Sequence, residues 1–141
     1  MVTRRSFAGF VPCLVCAASG LLTAEAWAQG AAPASTPGVT RKILSQRSGP
    51  APGYVTIIAE ATIEPGASVA RHTHPGIESG YLLEGEIELP IEGQPTRVLK
   101  VGDAFQVPTA TPHAGGKPAE ARVRIVSTYV VEEGKPLASP A

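Results

Sequence analysis

Residues Gly66–Gly85 read GASVARHTHPGIESGYLLEG, and this stretch decides how the chain folds. Pro65-Gly66 opens it, Pro75-Gly76 divides it and Glu84-Gly85 closes it, so the runs Ser68–His74 and Glu78–Leu83 are too short for helices. As strands they place His72 and His74, two residues apart, on the same face. Glu78 opens the next strand, where its carboxylate can reach the same point.

Working outward, the same punctuation recurs about every ten residues. Tyr54–Ile63 is β-branched and partly alternating, and Glu86–Glu92 alternates charge with Ile87, Leu89 and Ile91, which should share a buried face. Pro90 has the opposite parity and marks an edge or a bulge. Thr96–Val101, Ala104–Val107 and Ala121–Val131 supply further strands, and Arg41–Gln46 is a candidate for another at the N-terminal side. No amphipathic helical stretch separates them, and the 15 glycines and 14 prolines favour turns. The expectation is an all-β, single-domain barrel or sandwich over residues 54–131, preceded by a linker and N-terminal extension over 29–53 and followed by a loose tail over 132–141.

Residues 1–28 read as a leader, not as part of the fold. Arg4-Arg5 precedes an apolar stretch from Phe7 to about Leu22, and Ala26-Trp27-Ala28 supplies small residues at the cleavage positions. A buried N-terminal helix is the alternative, but the segment is apolar all round and runs into a loop-like stretch. Thr3-Arg4-Arg5-Ser6-Phe7 fits a twin-arginine signal, although a Sec signal can carry two arginines as well. The expected location is periplasmic or secreted. Cys13 and Cys16 leave with the leader, so the mature chain has neither thiol nor disulfide. Twelve Lys and Arg balance twelve Asp and Glu, which argues against a nucleic-acid partner. After residue 30 no apolar run approaches the ~20 residues of a membrane helix. So small a core favours support from a bound metal or from dimerisation.

His113 is the third and last histidine, and it follows the Gly102-Asp103 turn and Pro108 on a segment that a rolled barrel can bring opposite the first pair. A lone histidine usually serves packing. Here every histidine falls into one set with Glu78, so His72, His74, Glu78 and His113 are candidate ligands for one divalent metal: Fe, Mn, Ni, Cu or Zn. Four ligands leave two octahedral positions free.

These residues carry a resemblance. Gly66-x5-His72-x-His74-x3-Glu78-x6-Gly85 matches the first motif of the cupin superfamily at each defined position. Gly102-x5-Pro108-x-Ala110-x2-His113 matches the second, except that Ala110 stands where Gly is usual; Lys117 also replaces an Asn common at its end. Across Thr56 to Val131 the chain resembles small type-2, quercetin-dioxygenase-like cupins. The resemblance implies a double-stranded β-helix, a cupin jelly-roll barrel, with the same four residues as metal ligands near one mouth. It also implies a homodimer paired through outer sheets.

Three activities fit such a centre. The first is a dioxygenase acting on a flavonol or another small phenolic or enolic substrate, with Glu78 both ligand and catalytic base. Its lumen would be apolar, with Leu82, Ile87, Leu89, Phe105, Val107, Val123 and Ile125 as candidates. The second is a sugar isomerase or epimerase, which needs clustered cations for a phosphosugar. Arg71, Arg97, Lys100, Arg122 and Arg124 are scattered instead. The third is a non-catalytic module that binds a metal or a small ligand. Of the other polar residues Tyr81, Glu84, Gln106, Ser127 and Tyr129 could assist, and Ser127 and Tyr129 share the parity of Val123 and Ile125.

Overall fold

The computed structural model describes residues 36–141; the leader expected over 1–28, with both cysteines, lies outside the described residues. Nine strands and no helix occur among the described residues: β1 (Val39–Ser48), β2 (Tyr54–Ile63), β3 (His72–Thr73), β4 (Gly76–Glu84), β5 (Glu86–Leu89), β6 (Arg97–Lys100), β7 (Ala104–Val107), β8 (Val123–Glu132) and β9 (Ser139–Pro140). The main sheet has the antiparallel order β1-β2-β8-β4-β7. The opposing wall holds the pairs β5-β6 and β3-β9. This is the double-stranded β-helix expected from the motifs.

The opposing wall is completed by the irregular segment 112–119, which is hydrogen-bonded on both sides. On one side the amides of Ala114 and Gly116 donate to the carbonyls of Pro90 and Glu88, and Glu92 N–H donates to Pro112. On the other, His113 exchanges two 3.0 Å bonds with His72, and Gly115 and Ala119 donate to Val69 and Ala67. Proline and glycine deny this segment a regular ladder, yet its alternation delivers the His113 side chain next to His72.

Burial follows the two-residue period. In β8 Val123, Ile125, Ser127, Tyr129 and Val131 are buried and the residues between them are half-exposed. Ile87, Leu89 and Ile91 are buried together, as their spacing requires, and β5 ends at Leu89 just before Pro90. The apolar interior forms two clusters. The larger contains Ile63, Leu82, Leu99, Phe105, Val107, Val123 and Ile125; the smaller contains Val55, Ile57, Ala59, Tyr129 and Val131, with Leu137 against it.

Three elements depart from the sequence reading. Ser68–His74 contributes only His72–Thr73 as regular strand, because its earlier residues bond to the irregular segment. The candidate strand Arg41–Gln46 extends over Val39–Ser48 and is the sheet's edge, pairing along β2 with a bulge between Ile43 and Ser45. The C-terminal tail is not loose: Ser139–Pro140 pairs with His72–Thr73, and Glu132 still belongs to β8. The folded unit therefore reaches beyond residues 54–131 on both sides.

Candidate metal centre

Two short connections and one long strand build the site. His72 sits in β3, His74 two residues later before Pro75, and Glu78 faces inward from β4. The register places Glu78 between Val107 of β7 and Tyr129 of β8. Ser127 stands one inward step along β8. The ligand nitrogens of His72, His74 and His113 lie within 4.8 Å of one another, and His74 and His113 are buried. The structure thus brings together the four residues read as ligands in the sequence.

Hydrogen bonds fix the rings. Nδ1 of His72 bonds to the Ala70 carbonyl at 2.7 Å, that of His113 to the Thr111 carbonyl at 3.0 Å, and that of His74 to the Leu137 carbonyl. A carbonyl only accepts, so each Nδ1 carries the hydrogen, and in the neutral ring Nε2 presents its lone pair. Glu78 Oε2 lies 3.1 Å from His74 Nε2 and 3.2 Å from His113 Nε2. These distances suit hydrogen bonds, but neutral rings have no hydrogen there to share, and both Nε2 atoms are buried without a partner. Converging lone pairs repel unless a cation stands between them. A divalent metal fits this donor set, with the Nδ1–carbonyl bonds orienting the rings.

The second carboxylate oxygen is held separately. Ser127 Oγ donates to Glu78 Oε1 at 2.7 Å and the Tyr129 hydroxyl donates to it at 3.0 Å. Burial would raise the Glu78 carboxyl, but the adjoining His113 and His74 rings and the Ser127 hydroxyl outweigh it and hold the group below the usual carboxylate range. Burial and the Glu78 charge push the Tyr129 phenol upward, so it stays a neutral donor. Burial, then the neighbouring His113, lowers His72 to about 4.

The site opens on a cavity of about 50 Å³, lined by His72, Glu78, His113, Ser127 and Tyr129 on its polar side. Its apolar side includes Ile63, Ile87, Leu89, Leu99, Phe105 and Ile125. One water needs roughly 10–15 Å³ by the same measure, so the space suits a few waters or a small organic molecule. Gly80 helps shape it: a Cβ there would lie 2.2 Å from the Phe105 ring, which occupies that position instead. Of the seven expected lumen residues Ile87, Leu89, Phe105 and Ile125 reach the cavity, while Leu82, Val107 and Val123 are buried in the larger cluster.

Of the five polar candidates, Ser127 and Tyr129 join the site. Tyr81 and Gln106 are exposed on the outer face, where Gln106 bonds to Ser79, and Glu84 lies 3.7 Å from Arg124. Lys117 pairs with Glu88 at the surface. The residue that the sequence reading missed is Arg41, which lines the cavity from β1. The inward parity of Val39 and Arg41 was the available signal, but only pairing with β2 gives it direction.

The family model of the cupin domain matches residues 59–129. The chain belongs to the cupin family. No curated protein sequence matches it. Among solved structures this cupin is similar to the DMSP lyase DddQ from Ruegeria pomeroyi DSS-3, at 26% identity and TM-score 0.56. That match covers 65% of this chain and 46% of the lyase, so the cupin spans under half of that protein's length. KdgF from Halomonas sp. is 26% identical, with TM-score 0.53, over 66% of this chain and 81% of that one. A protein with a double-stranded β-helix domain from Klebsiella pneumoniae shares 18% identity and a TM-score of 0.58, over 74% of this chain and 85% of its own. It supports the fold alone.

Proposed function

We propose that this cupin is an exported, homodimeric, metal-dependent enzyme of dioxygenase type acting on a small phenolic or enolic molecule. The observation that carries the proposal is the junction of the three histidines and Glu78 with a small apolar cavity. A divalent cation held by His72, His74, His113 and Glu78 would supply Lewis acidity towards a substrate oxygen and a redox centre towards dioxygen. The apolar walls exclude water, and Ser127 and Tyr129 hold Glu78 in one orientation. Glu78 is the proton acceptor in this scheme. At about 50 Å³ the cavity favours a compact substrate over a flavonol.

Export is supported by Arg4-Arg5, the apolar run and Ala26-Trp27-Ala28. Pairing of two copies is supported by Ile58, Ile77 and Tyr81, which are exposed on β2 and β4, the strands flanking β8 in the main sheet.

A lyase reading has one specific support, the 26% identity to a DMSP lyase. Eliminations need a base and no oxidant, so oxygen separates the two. The metal-loaded protein is incubated with catechol, a 1,3-diketone and DMSP, in air and under argon, while substrate loss and oxygen uptake are followed. Oxygen-dependent loss of catechol or the diketone, with matching uptake, is expected. Loss of DMSP under argon would move the assignment to a lyase. No loss in either atmosphere would leave a binding module.

A further inference from the structure

The charge at the cavity wall identifies what else its ligand carries. Arg41 lies in β1 with its Nε buried and without a hydrogen-bond partner, and among the described residues no carboxylate lies within ion-pair distance of its guanidinium. A buried guanidinium nitrogen without an acceptor is costly, whereas three other arginines among the described residues each have a carboxylate partner: Arg124 pairs with Glu60, Arg122 with Glu64 and Arg71 with Glu92. The strand register makes room for it. Arg41 pairs with Ala61, and Ala61 with Ile125, so a methyl group stands where a longer side chain would fill the guanidinium's path over the sheet.

We propose that Arg41 is an anchor for a carboxylate of the substrate, which narrows the class to small organic acids bearing a phenolic or enolic oxygen. The inference rests on reading this cavity as the substrate site. Two charges line it, Glu78 and Arg41, and they cancel. A divalent cation at the histidines then leaves the cavity doubly positive, a charge matched by a carboxylate together with an ionised hydroxyl. The guanidinium fork takes both carboxylate oxygens, and the apolar walls meet the carbon between that end and the histidines.

The test is calorimetric binding of propionate and its neutral isostere propionamide to the zinc-loaded protein, in which redox turnover is silent. The unaltered protein is expected to prefer propionate by about tenfold or more, the ordinary worth of a hydrogen-bonded charge. Arg41→Met should bind the two probes equally at unchanged zinc stoichiometry, and Arg41→Lys, with charge but no fork, should fall between. A preference surviving in Arg41→Met would assign it to the metal and overturn the anchor. So would the absence of any preference in the unaltered protein, or loss of zinc from Arg41→Met. An Arg41-dependent preference without oxygen-dependent turnover would instead sink the dioxygenase reading and leave the anchor standing.

Discussion

Ala110 has a φ of 56°, in the left-handed region where a Cβ costs roughly 1–2 kcal/mol. It occupies the position where the second cupin motif usually has Gly, so the departure visible in the sequence has a backbone consequence. The Ala110 amide donates to the His74 carbonyl at 3.0 Å, which ties the strained loop to a ligand-bearing segment. Ala110→Gly should relieve the strain and lose part of the gain to a more flexible unfolded chain, for a net stabilisation of about 0.5–1 kcal/mol. Thermal and denaturant unfolding measure it, and a destabilised variant would show that the alanine methyl packs usefully. Tyr129→Phe tests the carboxylate instead. It removes one of two donors to Glu78 Oε1 and keeps the ring that packs on His74 at 4.9 Å. Metal affinity should fall roughly 10- to 100-fold, as for other partners that orient a ligand. Chelator competition reads this directly, and unchanged affinity would assign Tyr129 to packing. Both histidine pair and carboxylate were legible because imidazoles are rare in this chain and strand parity fixes their face. Arg41 was not, since arginines are numerous and its direction depends on a partner strand twenty residues away.

At the scale of elements, β2 and β7 have the bounds their β-branched runs and flanking turns indicate, Tyr54–Ile63 and Ala104–Val107. Elements whose existence depends on a distant partner were less legible. The segment Gly134–Ala141 has two prolines and little periodicity, yet it packs because β3 offers it an edge and His74 offers it a hydrogen. Its Leu137 does two separable things: the side chain rests on the cluster of Val55, Ile57, Tyr129 and Val131, and the carbonyl accepts from His74 Nδ1. Leu137→Ala should lower the melting temperature and leave metal affinity nearly intact, because the carbonyl remains. Ending the chain after Gly134 should lower both, with affinity falling by about tenfold or more once the His74 ring loses its orienting acceptor. Equal metal affinity in the truncated and full-length proteins would show that the ring is held by its neighbours alone.

For the molecule as a whole, the double-stranded β-helix concentrates proton-sensitive groups where the two apolar clusters meet. This part of the design was readable as a set of ligands but not as an energy, because the sequence shows neither the burial of His72 nor the donors around Glu78. His72 is lowered to about 4 by burial and by His113, from an ordinary value of 6.5. Between those values the unfolded chain takes up a proton that the fold refuses, so unfolding is favoured as pH falls. The His72 contribution is complete above about 6.5 and is lost on the way down to 4. Glu78 has the same sign at lower pH: its carboxyl lies below the usual range, so its contribution is present above the ordinary carboxylate value of 4.5 and is lost as pH falls from there towards the lower value in the fold. The metal-free protein should therefore melt at progressively lower temperature from pH 7 to pH 4. The zinc-loaded protein should melt higher at pH 7, since binding to the folded state alone adds stability. It should then converge on the metal-free curve in acid, because protons compete for the imidazoles and the carboxylate that hold the metal. Parallel melting curves across this range, with or without zinc, would contradict a site built from His72, His74, Glu78 and His113. Glu78→Gln completes the test. It keeps the shape of the side chain and removes its charge, so zinc should be lost at pH 7 and the two curves should coincide throughout.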